Sequence, residues 1–127
     1  MKYLIIVESL RIGGIERLAL DEFYFLKKNN YNVSLIVLSA KPTNENGTFL
    51  EGEKDLISEF SSSIFYVPGS RIEKLKYIER VIFQDIFKET KFVALSHSLK
   101  GSVIFFGIKL IFRRNIFIST TIHQLPS

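Results

Sequence analysis

Tyr3-Leu4-Ile5-Ile6-Val7-Glu8-Ser9-Leu10-Arg11-Ile12-Gly13-Gly14-Ile15-Glu16-Arg17-Leu18-Ala19-Leu20-Asp21 is the stretch that decides the fold. Residues 3–7 are an unbroken apolar run, the pattern of a buried strand, and Glu8 stops it. A short loop closes on the paired glycines Gly13 and Gly14. A periodic apolar segment opens at Ile15. Strand, glycine turn and helix in this order bring the N–H groups of a helix N-terminus to the end of a strand. Unpaired N–H groups and the helix dipole both favour negative charge, so such a turn suits an anion.

The pattern repeats along the chain. Ile15, Ala19, Phe23 and Leu26 fall close to one helical face, and Lys27-Lys28-Asn29-Asn30 supplies a basic last turn and a polar stop. Residues 33–38 are a second strand, apolar but for Ser34, which implies burial on both faces and a parallel sheet. Residues 41–52 read as a polar loop and 53–60 as a short helix. Residues 63–67 form a third strand, closed by Pro68-Gly69. Ser70 is placed to cap the next helix, with Glu73 three residues on to complete a capping box. That helix is expected to reach about Lys88. Ile72, Leu75, Ile78, Ile82 and Ile86 form its inward stripe, and Lys74, Lys76, Glu79 and Arg80 face water. Residues 92–96 are a fourth strand, Ser98 caps a helix over about 100–112, and residues 116–121 are a fifth strand.

Five strands alternating with helices require a mostly parallel sheet with right-handed crossovers. The expected architecture is a Rossmann-like α/β three-layer sandwich with strand order 3-2-1-4-5. In that order the first and fourth strands are neighbours at the topological switch point, where open α/β sheets bind ligands. Both histidines, His97 after strand four and His123 after strand five, then lie at the edge that carries the glycine turn. Each is read either as a hydrogen-bonded structural residue or as part of a cleft.

The length, 127 residues, suits one domain, and 46% hydrophobic residues suffice for a core. With no cysteine there is neither a disulfide framework nor a thiolate metal site. Net charge is +4 but uneven: residues 1–64 carry 7 basic and 9 acidic side chains, residues 65–127 carry 10 and 4. The basic half is read as a solvated face or as attraction to anionic headgroups and phosphorylated ligands. No nucleic-acid-binding module accompanies it. The apolar segment 103–118 is interrupted by Lys109, Arg113 and Arg114 and is too short to span a bilayer. It is either a buried helix with a basic end or a surface-lying one.

The chemistry open to these residues is limited. A histidine beside a phosphate turn hydrogen-bonds a sugar hydroxyl or acts as an acid or base near neutral pH. Arg11 offsets a diphosphate's charge or is an exposed loop residue. Glu16 takes a ligand hydroxyl or merely favours the first helical turn. Ser96 and Ser98 flank His97, but no third group completes a nucleophile triad. Gly13-Gly14 lacks the spacing of a dinucleotide fingerprint.

Residues 12–21 resemble the "GG-x-E-R" opening of the N-terminal domain of GT-B-fold glycosyltransferases of family 4. Ser96-His97-Ser98 resembles that family's strand-four segment, and Ile118-Ser119-Thr120-Thr121-Ile122-His123 its "T-x-H" at the end of strand five. The three segments stand in the right order and span nearly the whole chain. The resemblance implies a retaining hexosyltransferase-type enzyme that moves a sugar from a nucleotide-sugar donor to a glycan or lipid-linked acceptor. It implies that the backbone at Gly13 and Gly14 approaches the donor diphosphate, whose charge Arg11 is read as offsetting, and that His123 contacts the donor sugar near the reaction centre. Glu16, His97 and Ser98 would line the acceptor side. No metal and no cofactor is implied. The family's second Rossmann-like domain, which supplies most nucleotide contacts and an E-x₇-E-type motif, has no counterpart in these 127 residues. The chain is therefore expected to be the acceptor-side half, little active alone, with a C-terminal domain or partner subunit completing it. Family habit suggests cell-surface polysaccharide synthesis in the cytoplasm, at the inner face of the membrane.

Two further readings compete with this one. The first is a non-catalytic subunit or phosphorylated-ligand module that uses residues 100–114 to meet a partner or membrane. The second is a flavodoxin-like nucleotide binder. Exposure of Phe105, Phe106, Ile108 and Phe112 discriminates, because a large uncovered apolar patch marks an interaction surface.

Overall fold

The structure, a computed structural model, describes residues 2–8, 14–39, 59–86, 91–112 and 115–121. Its centre is β1 (Lys2–Val7). This strand pairs in parallel with β2 (Val33–Val37) on one side and β4 (Phe92–Ser96) on the other. Ile5 stands opposite Leu35 and Leu95, and Lys2 opposite Phe92. The short β3 (Ile64–Tyr66) adds beyond β2 and β5 (Ile116–Thr120) beyond β4. The sheet is all parallel with order β3-β2-β1-β4-β5, as the alternation of elements predicts.

Alternate residues of these strands feed two cores. Leu4, Ile6, Ile36, Leu38, Ala94 and Ile116 point to one face. Ile5, Val7, Val33, Leu35, Val37 and Ile64 point to the other. A strand buried on both sides has no polar face to display, which is why β1 and β2 read as continuous apolar runs.

Helix α1 (Gly14–Lys28) covers the second face through Ala19, Leu20 and Phe23. It stops at Asn30, whose φ of 63° is left-handed. Tyr31 N–H donates to Leu26 O (3.0 Å) and Asn30 N–H to Lys27 O (3.1 Å), the paired bonds of a Schellman end. The helix expected over residues 53–60 lies outside the described residues except for its last two, and the loop over 41–52 lies wholly outside them.

The first face is covered by α2 (Arg71–Tyr77), its π-helical continuation Ile78–Ile86, and α3 (Leu99–Ile111). Ser70 caps α2: its Oγ accepts from Glu73 N–H (3.3 Å) and donates to Glu73 Oε1 (3.1 Å). The expected outward set needs correction. Lys74 and Glu79 are buried, not facing water, and Ile72 is 68% exposed, not part of the inward stripe. Lys74, Ile78, Glu79 and Phe83 are buried and Leu75 partly buried, while the side chains of Ile82 and Ile86, also expected inward, lie outside the described residues. The step of five from Ile78 to Phe83 is the π-helical spacing, and it adds Phe83, which the expected stripe did not include. The change of pitch delivers Phe83 into an aromatic trio, with ring centroids 4.5 Å from Phe92 and 6.0 Å from Phe105. Lys74 lays its stem in the core and donates from Nζ to Gly69 O.

Gly101 fixes how α3 meets the sheet. A Cβ at this position would stand 2.5 Å from Ile6 Cγ2, 3.3 Å from Leu38 Cδ1 and 3.4 Å from Ser96 Oγ. Only glycine lets the first turn of α3 rest directly on the end of β1.

Gly101→Ala is expected to destabilise the chain by about 1–3 kcal/mol through overpacking, read as a lower denaturation midpoint in urea. Burial, then the nearby charge of Lys100, holds the Lys74 ammonium below its ordinary 10.5, with Glu73 opposing. The unfolded chain therefore binds more protons than the folded one in the alkaline range just below 10.5. Wild type should gain stability relative to Lys74→Met as pH rises through that range. Parallel stability curves for the two proteins would contradict this.

Candidate functional site at the carboxyl edge of the sheet

The strand order reverses between β1 and β4, so the chain leaves these neighbours in opposite directions and opens a crevice at their carboxyl ends. Glu8 follows β1, and His97 and Ser98 follow β4. His97 N–H donates to Ile6 O (2.9 Å), which ties the turn after β4 to β1. On the far side Thr121 N–H donates to Ser96 O (2.8 Å), tying it to the end of β5.

The His97 side chain is 7% exposed, and its Nε2 lies 3.1 Å from Glu22 Oε1 on α1. The pair links the helix behind the glycine turn to the end of β4. A carboxylate on one ring nitrogen orients the imidazole. Ser98 has two tasks. Its Oγ accepts from Gly101 N–H (3.2 Å), capping α3, and donates to Glu8 Oε1 (3.0 Å). A carboxylate near a helix N-terminus is favoured by the dipole, so Glu8 and Ser98 together complete the start of α3. Ser96 Oγ donates to Ser98 O (2.7 Å), and Ser102 Oγ lies 2.8 Å from Thr120 Oγ1. Hydroxyls thus run across β4, α3 and β5.

Of the residues singled out from the sequence, His97 and Ser98 are brought together at this edge. Gly14 opens α1 at the end of the loop that follows β1. Glu16 lies in the first turn of α1, but its side chain is outside the described set. Arg11, Gly13 and His123 also lie outside the described residues. Reasoning on the sequence passed over Glu22 and Ser102 altogether, took Thr120 only as part of the strand-five segment, and took Glu8 only as the end of a strand. Glu8 carried a usable signal, as the first charge after the central strand. Glu22 carried none, because its role depends on how α1 docks. The hydroxyls of Ser96 and Ser98 donate to Ser98 O and Glu8, and His97 Nε2 faces the Glu22 carboxylate. Among the described residues no group of three or more side chains is placed to hold a metal.

No family model, curated protein or solved structure matches the chain. The Rossmann-like arrangement rests on its topology, and among the described residues no helix is long and apolar enough to cross a membrane.

Ser98→Ala should cost about 1 kcal/mol of stability by removing the cap, and Ser98→Asn should recover most of it, because asparagine caps about as well as serine. Urea denaturation of the two variants measures both.

Proposed function

We propose that this chain is the N-terminal, acceptor-side domain of a retaining GT-B-type glycosyltransferase. The enzyme would transfer a sugar from a nucleotide-sugar donor to a glycan or lipid-linked acceptor. The observation that carries the reading is the adjacency of β1 and β4. It puts the carboxyl end of β1 beside that of β4, where Ser96-His97-Ser98 lies, and this supports a reading in which two of the three resembling segments meet there. In this reading the start of α1, with Gly13 and Gly14, receives the donor diphosphate and Arg11 offsets its charge. The N-terminus of α3 holds Ser98 and Glu8, and in this reading the anionic ligand goes to that of α1. His97, held by Glu22, lines the acceptor side with Ser98 and Glu16, and His123 meets the donor sugar. A C-terminal domain or partner subunit supplies the remaining nucleotide contacts.

A second reading is favoured by a specific observation. Phe105 and Ile108 are buried, whereas Phe106 and Phe112 are exposed. The uncovered apolar residues of α3 suit a recruiting subunit that meets another surface.

The isolated chain is expected to give no transfer across a panel of nucleotide sugars and lipid-linked acceptors. Robust turnover by these 127 residues alone would sink the half-enzyme reading. In the complete enzyme, read from the source gene beyond the codon for Ser127, His123→Ala should lower kcat on the order of 100-fold while circular dichroism stays unchanged. Unaltered turnover would retire the role given to His123.

A further inference from the structure

Helix α3 is apolar on two opposite sides. Gly101, Ile104, Phe105 and Ile108 are buried against the sheet and the π-helical segment. Leu99, Val103, Phe106 and Leu110 are between 54% and 67% exposed. Spacings of four, three and four residues place these side chains within about 60° of arc at 3.6 residues per turn, facing away from the core. The outward face of a covering helix is ordinarily polar. Here it is a continuous row of large apolar groups.

The flanks of the row show what it suits. Lys100 lies about 90° to one side of the stripe and Lys109 about 90° to the other, and both are exposed. Gly107 approaches Leu75 of α2 on the Lys100 side, and Ser102 meets Thr120 of β5 on the Lys109 side. No carboxylate lies on α3, none follows Glu89 in the sequence, and Arg113 and Arg114 come directly after the helix. A stripe of apolar groups with a lysine on each flank suits an interfacial helix. The stripe enters the acyl boundary, and the lysine stems lie along it with their ammonium groups at the headgroups.

We propose that this outward face of α3 docks the protein on an anionic lipid bilayer, with the helix in the plane of the interface. A second copy of the chain is the poorer occupant. An antiparallel pair of stripes would set Lys100 of one copy near Lys109 of the other, with no acidic side chain on either helix to offset them. The proposal does not rest on the transferase reading, since no sugar nucleotide enters its test.

The test is flotation of the full chain with vesicles of phosphatidylcholine alone and of phosphatidylcholine mixed with phosphatidylglycerol. Wild type should float with the mixed vesicles, weakly with the neutral ones, and less as salt is raised. Lys100→Ser and Lys109→Ser should each lower partition about fivefold. Phe106→Glu should abolish flotation with little change in the thermal midpoint, because more than half of the residue it replaces is already exposed. The chain has no tryptophan, so Phe106→Trp supplies a single reporter whose emission should shift to the blue on the mixed vesicles. Equal flotation with both vesicle types overturns the proposal. So does flotation that survives Phe106→Glu. So does a dimer that Phe106→Glu dissolves while wild type ignores vesicles.

Discussion

The contact between Gly101 and Ile6 governs the geometry of the crevice. Because no side chain stands between them, the start of α3 sits directly on the end of the central strand. That seating puts Ser98 where it caps α3 and reaches Glu8, and it leaves Ser96 Oγ within reach of Ser98 O. His97, one residue before the cap, is then anchored to Ile6 O by its backbone and meets Glu22 across the crevice. A bulkier residue at position 101 would lift the helix and loosen each of these bonds together. Packing at an apolar point therefore sets the polar arrangement beside it.

Much of this was legible in the sequence because double-sided burial leaves a plain mark. The runs that became β1, β2 and β4 are apolar at nearly every position, and each begins and ends within a residue or two of where its pattern does. Ser70 and Ser98 were legible for a different reason, since a cap works within one turn and needs no distant partner. What was not legible was one core position and the partnerships between distant residues. Ile78 was read correctly as inward, but the wider pitch after it delivers Phe83 to the core, a change that residue type does not announce. Lys74 and Glu79 have the composition of solvated residues and lie buried nonetheless. The His97–Glu22 pair joins positions 75 residues apart and depends on how α1 docks, so no local pattern could reveal it.

The crevice and the outward face of α3 lie on one element and differ in character. At its first turn α3 is satisfied by a serine and a carboxylate, with short polar links to both neighbouring strands. Along its length it presents oil to both sides. A helix of that composition has little amphipathic preference of its own, and the glycine at its start decides which side meets the sheet. The remaining side is thereby assigned to whatever lies beyond the protein.

The register of the central strand has a consequence in time. Lys2 pairs opposite Phe92, so β1 has a partner for one edge from β2 but waits for the other until β4 has been made. At synthesis rates of about 5–20 residues per second, the roughly 90 intervening residues take about 5–20 s to emerge. Through that interval one edge of this largely apolar strand is without its final neighbour. A strand enclosed on both faces and both edges in the finished protein is thus in need of protection while the chain is made.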